Sequence, residues 1–307
     1  AGIDLQRRKG DIRQMIYIAC ALYQEALPWI EQYQLKKRAE LTKFQIFEGT
    51  AKTAAQETLT VRLVITGTGP LAAAAAYTYL CTLFEPEEGS IFINFGICAK
   101  IDGEGEIGET FIVHKVTGGS SGRQYYPDMF YTAPVREAAL ISFDHIYRGE
   151  PLSQKADTHG TLLADMEAEG LFYSAGRFLA LDRMVFIKVI SDISGEEVSD
   201  RTVRQLCRQS CGQLFSWIEE IAMQAAHDDA QMMPSVPGKE SASLFDELCG
   251  HMKASRSMRE TLKRHLYYYE LCGGSAEAFL KAHRQAPCRS KNEGKAVMEK
   301  LLECLKQ

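Results

Sequence analysis

Ala164-Asp165-Met166-Glu167-Ala168 and, further along, Val185-Phe186-Ile187-Lys188-Val189-Ile190-Ser191-Asp192 are the stretches on which the fold turns. The first sets two carboxylates around a methionine where a helical run begins. The second is an apolar strand that ends in Ser-Asp. Open α/β sheets bind ligands beyond their strand ends. A strand-end carboxylate and a helix-start carboxylate can therefore meet in one pocket, as acid and ligand clamp. The plainer reading is a helix-capping aspartate and a solvated aspartate at a strand end.

The rest of the chain supplies the frame. Residues 15–21 form a short apolar run that predicts a buried strand. Residues 22–34 read as a helix with Pro28 in its first turn. Glu25 lies near that helix start, where a carboxylate suits the dipole. Residues 44–49 and 60–66 read as strands. The second enters Gly67-Thr68-Gly69-Pro70 and then the alanine-rich run 71–83. Strand, glycine turn and small-residue helix make a unit suited to close backbone approach. The turn is neither a dinucleotide fingerprint nor a P-loop, since the third glycine and the Gly-Lys-Ser/Thr are missing. With no acidic ribose partner at the right distance, an NAD-binding Rossmann enzyme is excluded. Residues 90–95 predict a buried strand closing in Gly96-Ile97-Cys98-Ala99. Further strands are expected at 110–116, 138–143 and 184–190. Turn chemistry falls at 104–109, a loop at 118–128 and a helix at 168–178. This alternation predicts an α/β protein with a mostly parallel or mixed sheet.

The chain has 307 residues, 46% of them hydrophobic, enough for a sizeable core. Residues 1–14 read as a leader or an expression remnant, and 15–228 as the α/β domain. Residues 229–243 read as a linker and 244–307 as a small helical appendage. Residues 198–227 are a long amphipathic run with apolar residues at helical spacing. No apolar run reaches the ~18 residues of a membrane span. The formal charge of −5 gives no reason to expect a nucleic-acid partner. Nine singly scattered cysteines fit reduced thiols in the cytoplasm. Cys207 and Cys211 share a helix face and read as core. Cys249, His251, Cys272, His283 and Cys288 match no zinc-finger spacing. Of Tyr267, Tyr268 and Tyr269, two are expected to pack inward.

Six motifs in order carry a family resemblance: Ile18-Ala19-Cys20-Ala21 with Glu25, Thr66-Gly67-Thr68-Gly69, Asn94-Phe95-Gly96-Ile97-Cys98-Ala99, Ile107-Gly108-Glu109, Asp165-Met166-Glu167-Ala168 and Ile190-Ser191-Asp192. Together they resemble the purine nucleoside phosphorylase/uridine phosphorylase superfamily, most of all its 5′-methylthioadenosine/S-adenosylhomocysteine nucleosidases. The resemblance implies a central mixed, partly barrel-like sheet flanked by helices. It implies hydrolysis of the N-glycosidic bond of an adenosine-type nucleoside, with 5′-methylthioadenosine, S-adenosylhomocysteine or 5′-deoxyadenosine as substrate. It also implies a homodimer. No cofactor and no metal are expected. By position, Glu25 resembles the carboxylate that activates water. Glu167 resembles the residue that grips the ribose hydroxyls, with Met166 against the sugar. Asp192, beside Ser191, resembles the acid that protonates or hydrogen-bonds purine N7. Thr68 and Ile97 fall at the substrate, and Ile146 and Tyr147 near the adenine segment.

The chain departs from that family's pattern in places. Ile97-Cys98-Ala99-Lys100 replaces a run of small residues, and Lys188 replaces an arginine. Val198 and Val203 stand where an aromatic covering the 5′ group would be expected. Phosphorylases of the superfamily bind phosphate through arginines. Here one such position is Asn94, and Arg123 in the glycine loop is the only spare cation nearby. A dianion needs fixed positive charge or several N–H donors, so hydrolysis is favoured over phosphorolysis. A purine nucleoside phosphorylase and a non-catalytic nucleoside-binding module are the alternatives.

Overall fold

Strand β1 (Gln14–Cys20) is buried at every position. Its side chains alternate, as any strand's must. Ile16, Ile18 and Cys20 enter one apolar core, and Met15, Tyr17 and Ala19 enter another on the opposite face. A strand covered on both faces needs a near-continuous apolar run, which is what the sequence carries. The structure is a computed structural model and describes residues 14–53, 57–87, 89–149, 160–193, 195–232, 239–284 and 286–305. The segment read as a leader lies outside the described residues apart from Gln14, which opens β1.

Helix α1 (Tyr23–Gln32) follows, then β2 (Lys36–Lys37), β3 (Gln45–Lys52), β4 (Thr58–Ile65) and α2 (Pro70–Leu83). Next come β5 (Ile91–Asp102), β6 (Thr110–Gly118), β7 (Gln124–Tyr125), β8 (Arg136–Ser142) and β9 (Leu162–Asp165). Helix α3 (Ala168–Ala175), β10 (Met184–Ile193), α4 (Asp200–Cys211) and α5 (Leu214–Met232) complete this part. The strand order is β10-β6-β8-β9-β5-β1-β4-β3-β2, with β7 on β6, and β10 also pairs with β5. That extra pairing closes β10, β6, β8, β9 and β5 into a ring, while β1, β4, β3 and β2 continue from β5 as an open wing. The sheet is mixed: β1, β4, β5 and β10 are mutually parallel along their pairings, and β9 runs antiparallel to β5.

Strand β5 belongs to both halves. Ile91–Asn94 pair with β1, and Ala99, Lys100 and Asp102 pair with β9 on the same side. Residues 95–98 between them pair only with β10. The sequence suggested that this strand ends at Phe95. It runs on through Gly96, because β10 pairs with it from Phe92 to Lys100. The two cores lie on either face: α1, α4 and α5 cover one, and α2 and α3 the other. Each fully buried Phe, Leu or Ile contributes roughly 1.5–3 kcal/mol.

Three local expectations are corrected. Pro28 lies inside α1 rather than in its first turn. The helix begins at Tyr23, five residues before the proline, and the Glu25 side chain accepts the Leu22 N–H at 2.8 Å, the reciprocal half of a capping box. The run 198–227 is two helices, broken at Gly212, a residue of low helix propensity. Part of the expected linker 229–243 is helical, since α5 extends to Met232 and α6 begins at Lys239.

The chain divides into two compact units, 1–230 and 231–307. The second is helical: α6 (Lys239–His251), α7 (Arg256–Leu271), α8 (Ala276–Ala282) and α9 (Lys291–Cys304). Ser255, Ser275 and Ser290 cap the last three, each accepting a backbone N–H of the first turn. Leu248, Met252, Leu262, Phe279 and Leu301 belong to its own core. Only Tyr269 of the three tyrosines packs inward, against Phe279; Tyr267 and Tyr268 are exposed. Among the described residues no helix is long and apolar enough to cross a membrane.

Candidate active site

Glu25 is placed by two incomplete backbone edges. At the third position of α1, its Oε2 accepts the Leu22 N–H. Its Oε1 accepts the Ile97 N–H at 2.9 Å, from the segment of β5 that neither β1 nor β9 covers. Gly96 makes the approach possible, because a Cβ there would lie 2.8 Å from Glu25 Oε1. Glu25 is 2% exposed. Burial raises its carboxyl above the usual range, opposed by the Ile97 and Leu22 N–H groups and by the charge of Lys188.

Strand β9 and the start of α3 carry the second cluster. Asp165 ends β9, pairing in register with Ser142 of β8. Its Oδ2 accepts the Ala168 N–H at 3.0 Å and lies 2.7 Å from Lys188 Nζ. Glu167 stands at the N-cap position of α3 without capping it through its side chain, and its Oε1 accepts the Gly69 N–H at 3.0 Å. Gly69 has φ +98°, a conformation side chains rarely adopt. The helices bearing these loops nearly touch: a Cβ on Gly170 would sit 2.0 Å from the Pro70 carbonyl. The Gly-Thr-Gly turn thus brings a backbone donor to a carboxylate. Burial and the neighbouring Asp165 charge push the Glu167 carboxyl up to about 8, with Lys188 opposing.

Asp192 comes from the end of β10, where a bulge between Ile190 and Asp192 shifts the register against β5. Bulges of this kind re-aim side chains beside active sites. Ser191 Oγ lies 2.8 Å from Asp192 Oδ2 and 3.1 Å from the Cys98 carbonyl. The Gly195 and Glu196 N–H groups donate to Asp192 Oδ1 at 2.7 and 3.2 Å. Asp192 is held on both oxygens yet still reaches the cavity wall.

One cavity of about 270 Å³ is lined by Glu25, Thr68, Ile97, Ile146, Tyr147, Met166, Glu167, Ser191 and Asp192. Sequence positions from 25 to 192 thus share one site. Tyr147 is buried and stacks on Phe143 at 5.3 Å between ring centroids, while Ile146 is 51% exposed. Val198 and Val203 also line the cavity. Its one basic lining residue among those described is Arg148; Arg123, singled out from the sequence, is not part of the wall. Asn94 is buried and donates to the Ala19 carbonyl at 3.2 Å.

Sequence reasoning missed the Asp165–Lys188 pair and the acidic rim residues Glu196, Glu197 and Asp200. The signal for the first was a lysine inside an apolar strand, noted only as a departure from a family arginine. Among the described residues no three His, Cys, Asp or Glu side chains are grouped to hold a metal ion. Cys249 and Cys288 are buried, Cys272 is exposed, and Cys207 and Cys211 lie in the first unit's core.

No protein-family model matches the sequence, and no curated protein matches it. Solved structures match its fold. A 5′-methylthioadenosine nucleosidase from Arabidopsis thaliana aligns over 68% of this chain and 96% of its own, with TM-score 0.55 and 17% identity. The 5′-methylthioadenosine/S-adenosylhomocysteine nucleosidase of Neisseria meningitidis, in complex with methylthio-immucillin-A, aligns over 71% and 99%, with TM-score 0.51 and 17% identity. A futalosine hydrolase mutant from Helicobacter pylori aligns over 67% and 99%, with TM-score 0.52 and 13% identity. The chain has the nucleoside phosphorylase-like fold of these proteins.

Proposed function

We propose that the chain is a nucleosidase that hydrolyses the N-glycosidic bond of an adenosine-type nucleoside, releasing adenine and a ribose derivative. The observation that carries this reading is the convergence of Glu25, Glu167 and Asp192, from three separate elements, on one nucleoside-sized cavity. Breaking the bond builds positive charge on the ribose and negative charge on the departing base. Asp192 serves the base, by giving or sharing a proton at N7. Glu167 binds the ribose hydroxyls and offsets the sugar's positive charge. Glu25 takes the proton of the attacking water, as in inverting glycoside hydrolysis. Met166 packs against the sugar. Ile146 and Tyr147 flank the adenine, and Val198 and Val203 face the 5′ substituent, for which a methylthio, homocysteinyl or hydrogen group is proposed.

The charge of the cavity supports hydrolysis over phosphorolysis. Its described lining includes Glu25, Asp165, Glu167, Asp192, Glu196, Glu197 and Asp200 against Arg148 alone. A phosphate dianion would be repelled by such a wall. The similar structures, nucleosidases of which one is in complex with methylthio-immucillin-A, accord with this reading. A homodimer is proposed with it, to be checked by analytical ultracentrifugation. The decisive assay is adenine release from 5′-methylthioadenosine, S-adenosylhomocysteine and 5′-deoxyadenosine in phosphate-free buffer. Turnover without phosphate is expected; strict phosphate dependence would overturn hydrolysis.

A further inference from the structure

Lys188 is a charged residue in the middle of an apolar strand, only 1% exposed. Burying an ammonium costs several kcal/mol unless it is well paired. Its Nζ lies 2.7 Å from Asp165 Oδ2, while Asp165 Oδ1 is buried with no hydrogen-bond partner among the described residues. On β10 it stands opposite Gly96, the residue whose missing side chain admits Glu25. Its charge acts on Asp165, Glu167 and Glu25 together. Among the described residues it is the one buried cation beside these three carboxyls.

We propose that Lys188 is a positioning residue of the site: bound to Asp165, it is the single countercharge shared by Glu25, Asp165 and Glu167, and it decides which of them holds a proton in the empty pocket. Three ionised carboxylates and one ammonium would leave an excess of two negative charges away from water. Crowded like charges take up a proton instead of ionising together. Glu167 is the group that takes it, being raised by burial and Asp165 and lowered by Lys188. Glu25 is kept closer to ionisation by its two backbone donors and by Lys188. The other titratable groups facing this cluster are Asp192 on β10 and the thiols of Cys20 on β1, Cys98 on β5 and Cys207 on α4. Burial pushes those thiols up, so they stay neutral and add no charge.

The proton count concerns the empty protein; only its kinetic consequence rests on the nucleosidase reading. The test follows carboxyl carbons by NMR in ¹³C-glutamate-labelled full-length chain, with signals assigned by Glu25→Gln and Glu167→Gln. In Lys188→Met the Glu167 titration moves up by about one to three pH units, the effect of losing one close opposite charge. Lys188→Arg restores it. Asp165→Asn moves it down, because a like charge is removed. In assays, the acid limb of kcat/KM moves to higher pH in Lys188→Met and returns in Lys188→Arg, since ionised Glu25 is the base and ionised Glu167 offsets the charge of the sugar. A folded Lys188→Met that melts earlier but leaves the Glu167 titration unmoved makes Lys188 merely structural and overturns the proposal. Should Lys188→Met not fold, an unmoved or upward titration in Asp165→Asn overturns it equally. A chain that titrates as described yet releases no adenine contradicts the nucleosidase reading alone.

Discussion

Glu25 Oε1 accepts the backbone N–H of Ile97 at 2.9 Å, across 72 positions of sequence. One structural gap fills another. Strand β5 loses β1 after Asn94 and gains β9 only at Ala99, leaving a donor that must find a partner. Helix α1 begins beside that gap with an uncapped N–H, and the same carboxylate serves both. The forking of the sheet therefore sets the position of the proposed base.

Gly96→Ala tests this dependence. The added methyl would meet Glu25 Oε1 at 2.8 Å in a strand paired to β10. The expected result is a fall in kcat/KM of about 100-fold or more, the lower range for a displaced acid–base group. The stability cost should stay at about 1–3 kcal/mol, as for a tolerated overpacking. Kinetics and thermal melting on the same preparation separate the two effects. Full activity in the variant would show that Glu25 does not need this seat.

Glu167 makes the empty protein sensitive to pH. Its carboxyl is raised from 4.5 to about 8, so the folded state holds a proton that the unfolded chain gives up. A raised group contributes stability that is complete below its unfolded value and is lost as pH climbs through its folded value. Melting temperature should thus decline between about pH 4.5 and 8, the span between the unfolded and folded values of Glu167. Glu167→Gln should flatten that decline, because a neutral amide has no proton to lose. A parallel decline in both proteins would remove Glu167 as the cause.

Much of the frame was legible because buried strands leave continuous apolar runs. Residues 15–21 and 184–190 could hardly be anything else. The four-residue β9 was not legible, since Leu162–Asp165 merges into the helix start that follows. Gly96 looked like the end of a strand, because its reason, space for a side chain distant in sequence, exists only in three dimensions. Lys188 was seen as a substitution, and its partner Asp165 as a cap; Asp165 proves to be both cap and ion-pair partner. Glu25, Glu167 and Asp192 were picked out by the order of motifs in a resemblance. Nothing in their spacing alone says that one cavity joins them.

The contact between α2 and α3 offers a test of the ribose end. Gly170 leaves no room for a methyl, whose carbon would fall 2.0 Å from the Pro70 carbonyl. Gly170→Ala should push α3 away and loosen the Gly69 N–H contact to Glu167. KM for the nucleoside should rise about ten-fold, in keeping with roughly 1.4 kcal/mol of lost binding. Titration calorimetry with a 2′,3′-dideoxy nucleoside supplies the control, because a ligand without those hydroxyls should bind both proteins alike. An equal loss for both ligands would place the damage elsewhere.

Asp192→Asn separates the chemistry at the base from the shape of the pocket. The amide oxygen can still accept the Gly195 and Glu196 N–H groups that hold Oδ1. Ser191 Oγ, 2.8 Å from the other oxygen, can turn to accept from the new amide. Fold and nucleoside affinity should therefore survive, with melting temperature and Kd close to those of the native chain. What the amide cannot do is carry the proton to N7. Turnover of a 5′-modified adenosine should fall by about 10²–10⁴, the range of a lost general acid. Substrates whose base leaves readily without protonation should be spared most of that loss. If Asp192→Asn releases adenine at the native rate, the assignment of Asp192 to the base is wrong.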